Sequence, residues 1–145
     1  MSIWFWLVIF QLKHFLADYP LQGRYMLGKF RPGWDFALPL ASHCGVHALF
    51  TLGIALFINP SLWWLAGVDF VVHFLMDRLK AGPRWMGRWK SLTPHEHQFS
   101  LLSDDALGRS RIRGNTLFWW ALGFDQMVHH CTHYGILWML CREVI

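Results

Sequence analysis

Asp69-Phe70-Val71-Val72-His73-Phe74-Leu75-Met76-Asp77 sets three ionisable side chains four residues apart inside an apolar run. On a helix, residues four apart stack on one face, so this stretch carries a polar stripe about three turns long through hydrophobic surroundings. The spacing recurs in His14 to Asp18, in His43 to His47 and in Asp125 to His129 to His133, each time in a segment rich in Leu, Phe, Trp and Val. Read together, the stripes predict an all-α fold: an integral-membrane four-helix bundle whose helices aim polar faces at one another to hold metal.

Composition points the same way. The 145 residues make one domain, 1–145, and are 54% hydrophobic and 15% charged, against roughly 25% charged in ordinary soluble domains. Ten Trp and twelve Phe add to the apolar surface, and Trp4, Trp6, Trp34, Trp63, Trp64, Trp119, Trp120 and Trp138 fall near predicted helix ends, where indole meets the headgroup layer. The competing class is a very apolar soluble helical domain. Several apolar runs approach the roughly 20 residues that cross a bilayer, which favours the membrane reading. Cys44, Cys131 and Cys141 are odd in number and lack C-x-x-C spacing, so neither a disulfide framework nor a zinc ribbon is indicated. The N-terminal run lacks a basic n-region and a cleavage site and leads into Lys13, His14 and Asp18, so it is expected to stay attached as the first helix.

In chain order, membrane helices are predicted at about 3–18, 36–58, 62–80 and 116–140. Pro20 ends the first, Asn59-Pro60-Ser61 turns the second into the third, and Gly82-Pro83 closes the third. The connector 21–35, with Leu21, Met26, Leu27 and Phe30 among its basic residues, is expected to lie on the membrane as a short amphipathic helix. The loop 82–115 contains Thr93-Pro94-His95-Glu96, a capping box that predicts a second interfacial helix. Arg24, Lys29 and Arg31 follow helix one. Arg78, Lys80, Arg84, Arg88, Lys90, Arg109, Arg111 and Arg113 follow helix three, and the turn between helices two and three is uncharged. Positive-inside topology then puts both loops in the cytoplasm of a bacterial cell and both termini outside its inner membrane. Topology accounts for the basic charge, so no nucleic-acid partner is expected; the expected surroundings are membrane lipid, with a homodimer allowed by so small a bundle.

This topology also fixes depth. His14, Asp18, His43, His47, His73, Asp77, Asp125 and His129 fall within a slab roughly 15 to 20 Å deep on the cytoplasmic half, with Asp69 and His133 deeper and ranked below them. A charged residue at the bilayer centre costs about 2.5 to 3.5 kcal/mol on insertion scales, so the carboxylates need compensation. Imidazole and carboxylate together suit zinc, iron or manganese, and such sites draw ligands from facing helices. The eight residues are therefore the predicted metal-binding set, for one or two ions, with two fitting better. A bis-histidine haem is a smaller alternative, because haem needs no aspartates. His130 points about 100° from His129 and is assigned to packing; His95 and His97 are assigned to solvent.

At His14-x-x-x-Asp18 with Pro20-Leu21-Gln22, Lys29, His43-x-x-x-His47, His73-x-x-x-Asp77 with Lys80, and Phe124-Asp125-Gln126-x-x-His129, the chain resembles a small bacterial and phage integral-membrane family, domain of unknown function 3307. That resemblance covers most of the chain and implies a fold without an activity. More distantly, the architecture is similar to inner-membrane metal-dependent hydrolases, a likeness that implies hydrolysis.

The expected function is therefore a membrane-embedded metal-dependent hydrolase, with zinc preferred, acting on a phosphorylated or lipid-like substrate from the cytoplasmic leaflet. One of Asp18, Asp77 and Asp125 would be free as general base. Lys13, Lys80 and Arg78 are expected at the site mouth to hold an anionic head group, with Gln22 and Gln126 orienting it. One alternative is a proton or divalent-metal pathway, which needs polar groups through to the far face. The other is a non-enzymatic accessory protein acting through the loop 81–115.

Overall fold

The computed structural model describes residues 2–31, 33–81 and 116–142. Among these it is all-helical, with four α-helices and no strand: α1 Ile3–Asp18, α2 Ala37–Ile58, α3 Leu65–Ala81 and α4 Thr116–Cys141. The capping box at Thr93, the histidines His95 and His97, and the basic residues from Arg84 to Arg113 lie outside the described residues.

Local chemistry sets the helix ends. The Ser2 hydroxyl accepts the Phe5 N–H to cap α1, and the chain leaves the helix at Tyr19, one residue before Pro20. Pro39 lies in the first turn of α2, where backbone N–H groups have no intrahelical acceptor and its missing donor costs nothing. Helix three starts later than the sequence suggests. The Asn59 side chain accepts from Ser61 N at 3.2 Å and from Ser61 Oγ at 2.5 Å, holding Pro60–Leu62 as a 3₁₀ turn, so α3 proper begins at Leu65.

The connector departs from the expected surface helix. It forms a 3₁₀ turn, Met26–Phe30, whose Gly28, Lys29 and Phe30 are buried against α2 and α3. Leu21, counted on the apolar face of that helix, is instead exposed. The turn approaches α2 so closely that a Cβ on Gly28 would lie 2.9 Å from Pro39 Cγ.

The helices pack in a ring in which α1 neighbours α2, α2 neighbours α3, α3 neighbours α4 and α4 returns to α1, leaving α1 diagonal to α3. The inward stripes are Trp6, Phe10, Lys13 and His14 on α1; His43, His47, Thr51 and Ala55 on α2; Leu65, Asp69, His73 and Asp77 on α3; and Asp125, His129, His133, Leu137 and Leu140 on α4. Every step is three, four or one residue, as a helix face requires. Each stripe is apolar at one end and polar over the rest. The apolar ends meet in a closed layer of Trp6, Phe10, Ala55, Leu65, Ile136, Leu137 and Leu140. Opposite the polar stripes, the outward faces carry exposed Trp4, Val8, Leu12, Phe15, Leu49, Phe57, Val71, Leu75, Met127 and Trp138.

The close approach of Gly28 makes a test with a built-in control. Gly28→Ala should destabilise by about 1 to 3 kcal/mol, because the stiff Pro39 ring has no flexible end to yield. Gly53→Ala, where an added Cβ meets nothing within 4 Å, should be neutral or stabilising by up to about 1 kcal/mol through helix propensity. Thermal unfolding in mild detergent reads both.

Candidate metal centre

The polar interior is layered along the bundle. Next to the apolar layer, Lys13 Nζ donates to Asp69 Oδ2, to Thr51 Oγ1 at 2.6 Å and to the His47 carbonyl at 3.4 Å, while Thr51 Oγ1 donates to Asp69 Oδ2 at 2.5 Å. Lys13 is 2% exposed. It is therefore not at a site mouth, as expected from sequence, but locked across the bundle from α1 to α3. Asp69 Oδ1 faces two imidazoles, with His73 Nδ1 at 3.1 Å and His133 Nε2 at 3.3 Å. Both residues ranked lower from sequence, Asp69 and His133, are thus fully buried parts of the constellation.

Above this lies an imidazole layer. The rings of His47 and His73, and of His73 and His129, are 3.9 Å apart, the second pair stacked with 16° between planes. His14, His47, His73 and His133 each offer a ring nitrogen within 4.8 Å of the others. His73 Nδ1 faces Asp69, and its Nε2 is buried without a hydrogen-bond partner, as are His14 Nδ1, His43 Nδ1, His47 Nδ1 and His129 Nδ1. A buried unpartnered polar atom costs about 1 to 3 kcal/mol, so these nitrogens are the interior's unmet donors and acceptors.

The third layer holds the carboxylates. Asp18 Oδ1 lies 3.0 Å from His47 Nε2 and 3.5 Å from His43 Nε2, and Asp18 Oδ2 lies 3.1 Å from His14 Nε2. Metal-to-ligand bonds of 2.0 to 2.1 Å in a tetrahedron put neighbouring ligand atoms about 3.3 to 3.4 Å apart, so these contacts are close to the edges of a zinc site. Asp18, His43 and His47 form one ligand group, and Asp77, Asp125 and His129 form another, their atoms within 4.8 Å in each case. His43 Nε2, 3.3 Å from Asp77 Oδ2, joins the two. Gln126 spans them as well, with Oε1 at 3.0 Å from His14 Nε2 and Nε2 donating to Asp18 Oδ2 at 3.5 Å and Asp125 Oδ2 at 3.3 Å.

Charge separates the groups. Asp77 Oδ2 accepts from Lys29 Nζ at 2.7 Å, and Asp125 Oδ2 accepts from Lys80 Nζ at 2.6 Å. With Lys13 on Asp69, three of the four interior carboxylates have an ammonium partner. Asp18, its side chain 16% exposed, is met by imidazoles and Gln126 and by no lysine or arginine among the described residues. Counting lysines against aspartates alone, Lys13, Lys29 and the partly buried Lys80 leave the interior carboxylates one ammonium short.

All eight sequence-designated ligands therefore line one interior. Among the other designated residues, Lys80 sits beside Asp125 and Asp77, and Gln22 Oε1 accepts from Lys29 Nζ at 2.9 Å. Arg78 covers the Phe36 ring at 3.4 Å and donates to the Arg31 carbonyl at 3.3 Å, at the edge of the bundle. His130, assigned to packing, is only partly buried and has its ring 5.2 Å from that of His14. Sequence reasoning missed Thr51 and the interior role of Lys29. Thr51 continues the four-residue spacing of His43 and His47, a signal that was present. Comparison of the chain with protein-family models, curated proteins and solved structures finds no match.

Lys13→Met should strand Asp69 in the bundle and destabilise by about 3 to 5 kcal/mol, with much of the loss recovered in Lys13→Met/Asp69→Leu. A double-mutant cycle followed by chemical unfolding in detergent gives the coupling directly.

Proposed function

We propose that this chain is a multi-pass membrane protein whose interior holds a divalent metal ion at Asp18, His43 and His47, with His14 on the second carboxylate oxygen, and uses it for hydrolysis. The observation that carries this reading is Asp18, the interior carboxylate with no lysine or arginine partner among the described residues, ringed by three imidazole Nε2 atoms at 3.0 to 3.5 Å. The geometry that brings three N–H groups onto a carboxylate also brings three lone pairs and an oxygen onto a cation. Imidazole with carboxylate and without thiolate fits zinc, with iron or manganese next.

The membrane placement rests on the inverted polarity of the bundle. Soluble monomers rarely expose apolar patches beyond a few hundred Å², whereas here apolar side chains line the outside of every helix while Lys13, Asp69, Asp77 and Asp125 are buried within. Among the described residues one helix, Ala37–Ile58, is long and apolar enough to cross a membrane. α1 and α3 have 16 and 17 residues, about 24 to 26 Å, which fits a locally thinned bilayer. Arg24, Arg31 and Arg78 lie on the Asp18 end of the bundle and support a cytoplasmic mouth there; Lys29, ion-paired inside, no longer counts toward that charge.

A bound divalent ion lowers the pKa of a water on it and polarises a scissile group. The chain's own residues supply the rest. Asp125, whose Oδ1 makes no hydrogen bond, is the proposed general base. Gln126 ties the Asp18 and Asp125 groups and orients what lies between. A divalent ion beside the one interior carboxylate that has no lysine would more than neutralise it, which favours an anionic substrate. A lipid phosphate reached from the cytoplasmic leaflet meets both demands. The pathway alternative needs polar groups through to the far face, and the closed layer of Trp6, Phe10, Leu65, Leu137 and Leu140 weighs against it.

Metal content and phosphate release test the reading together. Wild type purified in mild detergent should carry zinc, iron or manganese that Asp18→Ala and His47→Ala lose. Release of phosphate from lipid phosphate in mixed micelles should fall roughly a hundredfold or more in both, as when several kcal/mol of transition-state stabilisation disappears. Folded wild type that carries no metal and takes none up would overturn it.

A further inference from the structure

Lys29 is the interior residue that topology explains least. It comes from the connector and not from a helix, yet it is 4% exposed. The 3₁₀ turn that delivers it is seated by Gly28 on Pro39, and Gln22 Oε1 holds its Nζ from behind at 2.9 Å. A buried ammonium without a job would be selected against on cost alone, since it must be paired and bonded to be tolerated. Its partner is Asp77 Oδ2 at 2.7 Å. Lys80 Nζ, on Asp125 Oδ2 at 2.6 Å, lies 3.5 Å from Asp77 Oδ1. Two ammonium groups thus converge on the two carboxylates of the Asp77, Asp125 and His129 group, which by ligand type and spacing would otherwise make a second metal position.

We infer that Lys29 and Lys80 occupy that second cation position, so that the chain takes one divalent ion, at Asp18, His43 and His47, and excludes another from Asp77, Asp125 and His129. The inference rests on the metal reading above and adds its stoichiometry. A divalent ion among Asp77, Asp125 and His129 would face two like charges within bonding distance of the same oxygens, and displacing the buried Lys29 would leave its ammonium without its carboxylate partner. In two-metal hydrolases the second ion steadies the leaving oxygen. Here two lysine ammoniums present positive charge on the corresponding side, fixed by the fold and independent of metal supply. The sequence alone favoured two metals on the number of candidate ligands, and it left Lys29 in a connector expected on the membrane surface, away from Asp77.

The test counts metal per chain by plasma mass spectrometry after saturation with zinc and gel filtration in detergent. Wild type and Lys29→Arg should hold one equivalent, and Lys29→Met/Lys80→Met, with both ammoniums removed, should hold two. A folded double variant that stays at one, judged by its helical circular dichroism, overturns the inference. Wild type that binds two equivalents also overturns it, and that count needs no variant to fold. Wild type that binds none overturns the metal reading itself, and this inference with it.

Discussion

The structure depends on charge neutralisation inside the bundle. Lys13 on Asp69, Lys29 on Asp77 and Lys80 on Asp125 each join segments distant in sequence, and α3 takes part in all three. Asp69 ties it to α1 across the diagonal, Asp77 to the connector, and Lys80 to α4. In lipid, helices gain little by hiding apolar surface from one another, so association rests on packing and on polar contacts between helices. On the proposed membrane placement, an interior of paired charges would hold the bundle together. The same arrangement in a soluble protein would surrender the hydrophobic contribution to folding, because the large apolar side chains of α1, α2, α3 and α4 largely face outward.

That dependence explains why the three layers differ in chemistry. Next to the apolar layer, Lys13, Thr51 and Asp69 satisfy one another and fix the orientation of His73 and His133. A carboxylate behind an imidazole is the usual way a protein fixes which ring nitrogen faces a metal. The middle imidazoles carry unpartnered nitrogens, and the outer carboxylates meet lysines except at Asp18. Asp18 sits at the C-terminal end of α1 with a partly exposed side chain.

Much of the helical layout was legible in the sequence. The four-residue spacing of His14 and Asp18, His43 and His47, Asp69, His73 and Asp77, and Asp125 and His129 marks helix faces, because only a helix superposes residues at that interval. The turn at Asn59-Pro60 was readable from its residues, although the Asn59 side chain holds a 3₁₀ segment that pushes the start of α3 to Leu65. What the sequence hid was cationic. Lys13, Lys29 and Lys80 look like snorkelling or topological charges, since a linear pattern shows that a lysine is near a helix end and not which carboxylate it meets. Lys29 reaches Asp77 across 48 positions, a pairing set by the seat of Gly28 on Pro39 that no local period encodes.

The lysines also bear on how metal and fold are related. In a centre where several carboxylates share two ions, removing metal leaves like charges facing one another, and the fold depends on metal supply. With three carboxylates neutralised by ammonium groups, only the Asp18 neighbourhood changes its charge when an ion enters or leaves. A bundle held this way needs no metal to balance Asp69, Asp77 and Asp125. On the proposed reading an ion at Asp18 would carry chemistry only, because the helices are held together by residues that cannot dissociate.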